Sequence, residues 1–287
     1  METQFTNEPL DEKSNLCKIC SCLQDTKSIG YTNLIKLIVE EENINEKRRI
    51  LHRLIYDTID DINEQNNVLW EALMMVCNHS NKCSNIEIVK LLLDQPNIDI
   101  NKQDAMGWTV LIVACAFSNN HSNVETVRLL LNQPNIDINI QDRNGCTALI
   151  MICKYTTILN IETVKLLLCQ QNININTQDK EGDTALALVC IRGDVDDNVE
   201  IIKLLLNQPN IDLDKKNKKG STVLMRTCRY SNTYSKTNIV KLLLKQRNID
   251  INKQDIAGNT ALMIACRYSN TDSNIDTVKL LLGNANI

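Results

Sequence analysis

Residues 141–149 read Gln-Asp-Arg-Asn-Gly-Cys-Thr-Ala-Leu, and this frame returns along the chain. Gly-x-Thr begins at Gly107, Gly145, Gly182, Gly220 and Gly258, in steps of 38, 37, 38 and 38 residues. A cysteine series keeps the same step: Cys77, Cys115, Cys153, Cys190, Cys228 and Cys266. So does the run Val89-Lys90-Leu91-Leu92-Leu93, echoed from Val127, Val164, Ile202, Val240 and Val278. Three series sharing one period identify a repeat array, in which each supersecondary unit buries its apolar face only against its neighbours. The one or two globular domains that a length of 287 residues would suggest no longer apply.

Each repeat reads as one physical unit. The Thr of Gly-x-Thr suits a helix N-cap, because its hydroxyl accepts from the free N–H groups of the first turn. A short apolar helix follows, for example Ala261 to Arg267, and then a polar stretch such as Tyr268 to Ser273. Asn85, Asn123, Asn160, Asn198 and Asn274 are expected to cap a second helix. Glu87, Glu125, Glu162 and Glu200 sit in its first turn, each three residues before Lys90, Arg128, Lys165 or Lys203. The Leu-Leu-Leu run carries the buried face. Asn97, Asn135, Asn172, Asn210 and Asn248 suit a left-handed C-terminal position. An extended segment such as Ile98-Asp99-Ile100-Asn101 then leads into the Gln-Asp-x-x-Gly turn.

The frame Asp-x-x-Gly-x-Thr-x-Leu, present from Asp104, Asp142, Asp179 and Asp255 and with Asn217 replacing the Asp once, resembles the ankyrin repeat. The resemblance covers about residues 30–287. It implies an all-α solenoid of about seven helix pairs with β-hairpin fingers, a curved rod that binds a partner protein on its concave face and is not an enzyme. Two departures stand out. The period exceeds the family's usual 33 residues. The family's Thr-Pro-Leu-His is here Thr109-Val110-Leu111-Ile112 or Thr260-Ala261-Leu262-Met263, so the His that ties neighbouring repeats is missing. Packing is then expected to carry more of the coupling. The longer period and the Asn-Ile-Asp-Ile-Asn segments resemble extended-repeat ankyrin proteins of giant DNA viruses of amoebae. That resemblance implies a viral protein acting on a host factor in the host cytoplasm or nucleus. Its alternatives are a ubiquitin-ligase substrate adaptor and a structural virion component.

Residues 1–29 are expected to form a flexible polar tail and 30–287 the repeat domain. Within it, residues 32–61 are a degenerate N-terminal cap repeat, and 62–287 are regular repeats of which the last is incomplete. Shifting the register back by 38 residues places the cap's helices near Leu34–Val39 and Leu51–Ile55, made more polar by Lys36, Arg48, Arg49 and Arg53. The final pair, ending at Leu280-Leu281-Leu282, lacks such polar substitution. A monomer, or weak self-association relieved by charging Leu281 or Leu282, is expected.

Composition narrows the function. The apolar fraction is 43% and the net charge −4, so neither general disorder nor a cationic nucleic-acid surface is indicated. The longest apolar run, Val110 to Phe117, is too short to span a membrane. Residues 1–16 lack an apolar signal segment, which points to an intracellular chain whose twelve cysteines are not a disulfide framework. The cysteine column occupies a small buried position of the first helix; Cys146 and Cys169 lie off it and are expected to be more exposed. Cys17, Cys20 and Cys22 supply three of zinc's four ligands, and Cys83, His79 or His52 would complete a set only if the tail folds back. No metal and no cofactor are expected. Three histidines (His52, His79, His121) and no phosphate-cradling glycine loop leave no catalytic set to name.

The positive signal is aromatic. Four of the ten aromatic residues, Phe117, Tyr155, Tyr230 and Tyr268, fall just after the cysteine column, and Trp108 lies on a finger beside them. Tyr, Trp and Arg are enriched at interface hot spots, whereas packing under the lengthened inter-helix loop would serve the fold instead. With their cationic neighbours, the expected partner-binding set is Trp108, Phe117, Arg143, Lys154, Tyr155, Arg192, Lys218, Lys219, Arg229, Tyr230, Arg267 and Tyr268. A nucleic-acid or membrane partner is not expected.

Overall fold

A computed structural model describes residues 29–41, 43–53, 62–79, 83–96, 98–117, 121–155, 161–192, 196–230, 234–269 and 272–284. Cys17, Cys20, Cys22 and most of the expected tail lie outside them. The described residues contain fourteen helices in seven pairs. The pairs are Ile29–Glu40 with Ile44–His52, Ile62–Asn78 with Cys83–Leu93, Val110–Ala116 with His121–Leu131, and Ala148–Tyr155 with Ile161–Leu168. The last three are Ala185–Arg192 with Asp196–Leu206, Val223–Arg229 with Tyr234–Leu244, and Ala261–Arg267 with Asp272–Leu282. They belong to two compact units, residues 1–137 with 155–158, and residues 138–154 with 159–287.

Within each unit, first helices stack on first helices and second on second. The fingers between pairs are turns; the only bridge among the described residues joins Gln178 and Thr184. The Thr caps form as the sequence predicts. The hydroxyls of Thr109, Thr147, Thr184, Thr222 and Thr260 accept from the backbone N–H of Ile112, Ile150, Ala187, Met225 and Met263. Second helices end on a device that the sequence reading missed. The amides of Gln95, Gln133, Gln170, Gln208 and Gln246 donate to the carbonyls four residues back, satisfying last-turn acceptors.

The asparagine caps need correction. The second helices of the second and fifth pairs begin at Cys83 and Asp196, so Asn85 and Asn198 lie inside the helix and are buried. Asn85 donates to the His79 carbonyl and accepts from Lys47, a fully buried lysine of the first pair. Its amide therefore satisfies a buried ammonium and a helix-end carbonyl instead of capping.

Two predicted burials also change. Cys77, Cys115, Cys153, Cys190 and Cys228 are buried, but Cys266, in the same column, is exposed. Cys146, expected to be exposed, is fully buried. It lies beneath Lys154, whose ammonium reaches across to Asp179 of the next finger.

Hydrogen bonds, as well as apolar packing, join the repeats. The Asn101 side chain accepts from the Asp137 N–H and donates to the Asn135 carbonyl (2.8 and 2.6 Å). In the second unit Asn139 does the same to residues 174 and 172, and Asn176 to residues 212 and 210. Gln141 and Gln178 each bond their own finger's glycine carbonyl and, one repeat on, the carbonyls of Gln178 and Lys216. Backbone bonds zip finger to finger: Lys180 N–H to Asn144 O, Lys218 N–H to Glu181 O, and Ile256 N–H to Lys219 O.

The finger glycines show what this zip demands. Gly182 has φ +80°, and a Cβ there would stand 2.8 Å from the backbone of Asn217 and Lys218. Gly258 has φ +78° with nothing within 4 Å. Gly258→Ala is expected to cost only the left-handed penalty, about 1–2 kcal/mol. Gly182→Ala is expected to cost at least about 1 kcal/mol more, because finger must part from finger; urea unfolding of the two variants makes the comparison.

Candidate functional site

Every finger is built on one acceptor. The side-chain Oδ1 of Asp142 takes the N–H groups of Asn144 and Cys146, and that of Asp179 takes those of Glu181 and Asp183. Asn217 supplies the same oxygen to Lys219 and Ser221. An amide oxygen suffices here, so the Asn for Asp replacement does not disturb the turn. Its other end explains the exchange. Asn217 Nδ2 donates to Asp183 Oδ1 at 3.0 Å, where an aspartate would oppose the Asp183 charge.

Asp183 also meets Arg226 at 3.0 Å, and both side chains are largely buried. Burial pushes the Asp183 carboxyl above its usual range, with Arg226 and Asn217 pulling against it. Lys154 forms the companion pair, 2.8 Å from a buried Asp179 carboxylate. Lys154 is one of the expected partner-binding residues, and the structure ties it to its neighbour's finger. Arg192, another, donates to the Lys154 carbonyl at 2.6 Å. Both are half-buried and hold repeat to repeat.

Four further cations of the second unit stand on its finger tips. Arg143, Lys218 and Lys219 are exposed on finger tips, as is Lys180, which the sequence reading did not select. Arg229 is exposed at the end of its helix, with its guanidinium 5.8 Å from the Tyr230 ring centroid and 5.1 Å from that of Tyr268. Arg267, in the same register, donates to Asn259 Oδ1 of its own finger. This register therefore lies beside the fingers. Tyr230 and Tyr268 are half-buried, each the C-cap residue of its helix. Packing and display thus coexist in the same rings: one face grips Arg229 and part of each stays open. In the first unit, Trp108 and Phe117 are half-buried and tilt against each other with ring centroids 6.5 Å apart. The backbone of Tyr155 ends the helix Ala148–Tyr155; its side chain lies outside the described residues.

A second surface is apolar. Met225, Ala187 and Ile150 are buried against the pair that follows them, but their equivalent Met263 is 54% exposed. Ile275 and Leu282 (61%) are exposed on the same pair and Ile256 (80%) on the finger before it, whereas Leu281 is fully buried. Of the two leucines expected to mediate association, only Leu282 is on the surface.

No group of three or more His, Cys, Asp or Glu that could hold a metal ion occurs among the described residues, and no helix there is long and apolar enough to cross a membrane.

The sequence profile of ankyrin repeats in three copies matches residues 27–142, 118–217, 149–255 and 195–287. The chain belongs to the ankyrin-repeat family. Solved structures agree on the fold. An ankyrin repeat protein crystal structure is 22% identical, with TM-score 0.63 over 75% of this chain and 98% of that one. An ankyrin repeat domain from Acinetobacter baumannii is 23% identical, with TM-score 0.58 over 73% and 95%. A chain in the complex of a predatory endopeptidase from Bdellovibrio bacteriovorus with an immunity protein is 24% identical, with TM-score 0.52 over 72% and 96%. No curated protein matches the sequence. Ankyrin repeats are in general protein-interaction scaffolds, and the fold is typically non-catalytic.

Two predictions follow from the burial of charge and thiol. Arg226→Met leaves an ionised Asp183 unpaired and is expected to cost about 3 kcal/mol at about pH 7. For an acid whose folded pKa is raised, the folded state binds the extra proton between the ordinary and the raised value, so stability rises as pH falls through that window. The loss in Arg226→Met is therefore expected to shrink at about pH 5, measured by urea unfolding at both pH values. Burial holds the Cys146, Cys153 and Cys228 thiols near a pKa of about 12. Iodoacetamide mapped by mass spectrometry is expected to label Cys169 and Cys266 in the native chain, and these three only after unfolding.

Proposed function

We propose that this chain is a non-catalytic scaffold that binds a partner protein on the face made by its fingers and first-helix ends, the concave face of the ankyrin family. The observation that carries this reading is the contact of the exposed Arg229 with the rings of both Tyr230 and Tyr268. Part-open aromatic rings ordering an exposed guanidinium bring together the residue types that dominate interface energetics. Trp108 and Phe117 offer a comparable aromatic step in the first unit. The endopeptidase–immunity protein complex among the structural neighbours is a protein–protein precedent on a similar fold. The finer reading, a viral protein acting on a host factor in the cytoplasm or nucleus, rests on the extended period and the Asn-Ile-Asp-Ile-Asn segments, which resemble those of giant-virus ankyrin proteins.

One observation favours a second mode. The exposed Met263, Ile275 and Leu282 share one helix pair, and Met225, Ala187 and Ile150, the equivalents of Met263, are buried. A second copy of this chain carries such apolar helix faces, and patch against patch would close as a two-fold dimer.

Affinity capture from host-cell lysate, beside a Tyr155→Ala, Tyr230→Ala, Tyr268→Ala variant of unchanged helical circular dichroism and melting, tests the scaffold reading. At least one partner is expected to fall about tenfold or more with the variant; identical capture by both would overturn it. For the second mode, sedimentation equilibrium is expected to show mass rising with concentration, abolished by Met263→Glu with Leu282→Glu.

A further inference from the structure

The second unit uses some cations internally and displays others. Lys154 and Arg226 are neutralised internally by Asp179 and Asp183. Among the described residues, no carboxylate pairs with Arg143, Lys180, Lys218, Lys219 or Arg229. Arg143, Lys180 and Lys218 occupy one position, two residues before the finger glycine, in three consecutive repeats. The backbone bonds from Lys180 to Asn144 and from Lys218 to Glu181 join these fingers directly, so the three form a column. Of the tip residues in those three fingers, Glu181 is the one acid. In a chain of net charge −4, this column concentrates positive charge along a single edge.

Beside that edge lies Arg229. Its guanidinium lies within reach of two rings, and with no carboxylate among the described residues paired to it, its planar fork can take a carboxylate on two donors. The Arg267–Asn259 and Lys154–Asp179 contacts show that this register reaches the fingers. Column and anchor thus belong to one face of the unit.

Resting on the scaffold reading, we infer that this face receives an extended acidic segment of a partner protein, with carboxylates on Arg143, Lys180 and Lys218 and one clamped by Arg229. The spacing follows from geometry. Stacked helix pairs lie about 10 Å apart, and an extended chain advances about 3.3 Å per residue. A carboxylate at about every third residue then meets each finger in turn. A nucleic acid fits less well, because Glu181 interrupts the tips and Asp212 and Asp214 flank the lysine-rich finger.

The test is fluorescence anisotropy of the full chain with a labelled peptide of about fifteen residues repeating Glu-Gly-Ser, matched to that spacing. The comparators are its Gln-Gly-Ser counterpart, a peptide with the same glutamates in one block, and a single-stranded DNA oligonucleotide. The spaced acidic peptide is expected to bind most tightly and to weaken as salt is raised. Lys180→Glu with Lys218→Glu is expected to lower its affinity about tenfold or more. Arg229→Lys, which keeps the charge but loses the planar fork, is expected to lower it several-fold. If the charge reversals unfold the chain, Lys180→Gln with Lys218→Gln takes their place. Equal binding of the glutamine peptide, indifference to these substitutions, or tighter binding of the oligonucleotide would overturn the inference. Failure here with a lysate partner still lost by the tyrosine variant would leave the scaffold reading standing. Failure of both would remove it.

Discussion

Four successive fingers in this protein, from residue 135 onward, are each entered through a backbone segment bonded by a side chain of the repeat before, and the rest of the structure depends on that bond. A finger exposes backbone donors and acceptors that no helix satisfies. Asn101, Asn139 and Asn176 meet one of each in the following repeat, accepting and donating with a single amide. Where Asp214 takes the position it can only accept, from the Asp250 N–H, and Asn248 returns the donation by bonding the Ile211 carbonyl. The family's inter-repeat histidine is thus absent from a chain whose neighbouring repeats are hydrogen-bonded throughout each unit. A single such bond contributes about 1 kcal/mol. The ladder matters because an unfinished finger would leave polar backbone unpaired beside a packed core.

The same economy governs charge. Asp183 stands where other repeats carry Trp108, Cys146, Ser221 or Asn259, and it buries a carboxylate between helices. Its neighbours change in concert. The next finger uses Asn217 rather than aspartate, and Arg226 replaces the apolar residue found at Val113, Met151, Leu188 and Ile264. Three departures from the repeat pattern are one substitution in physical terms, since a buried charge persists only when paired and hydrogen-bonded. Lys154 and Arg226 are spent internally, whereas Arg143, Lys180, Lys218, Lys219 and Arg229 stand exposed on the finger tips and beside them, where they can attract another molecule.

The sequence carried the period, the helix pairs, the threonine caps and the family, because each repeats and each is local. A hydroxyl three residues from the N–H it caps needs no tertiary context. The i,i+3 pairs Glu87–Lys90 and Glu125–Arg128 are legible for the same reason, although exposed pairs add little stability. The aromatic register was legible too, as a column of Phe117, Tyr155, Tyr230 and Tyr268. What those rings do was not, because contact with Arg229 joins residues of successive repeats.

Tertiary structure alone decided the rest. Asn85 reads as a cap, but the ammonium of the buried Lys47, 38 residues away, donates to it and holds the amide in the core. Cys146 reads as a finger-tip thiol and is buried, because Lys154 and Asp179 close over it. Cys266 and Met263 share the pattern of buried columns and are exposed, because burial in a stack comes from the neighbour and not from the residue. A periodic sequence dictates which faces want cover. Only the assembled repeats determine which of them receive it, and which cations remain to meet another molecule.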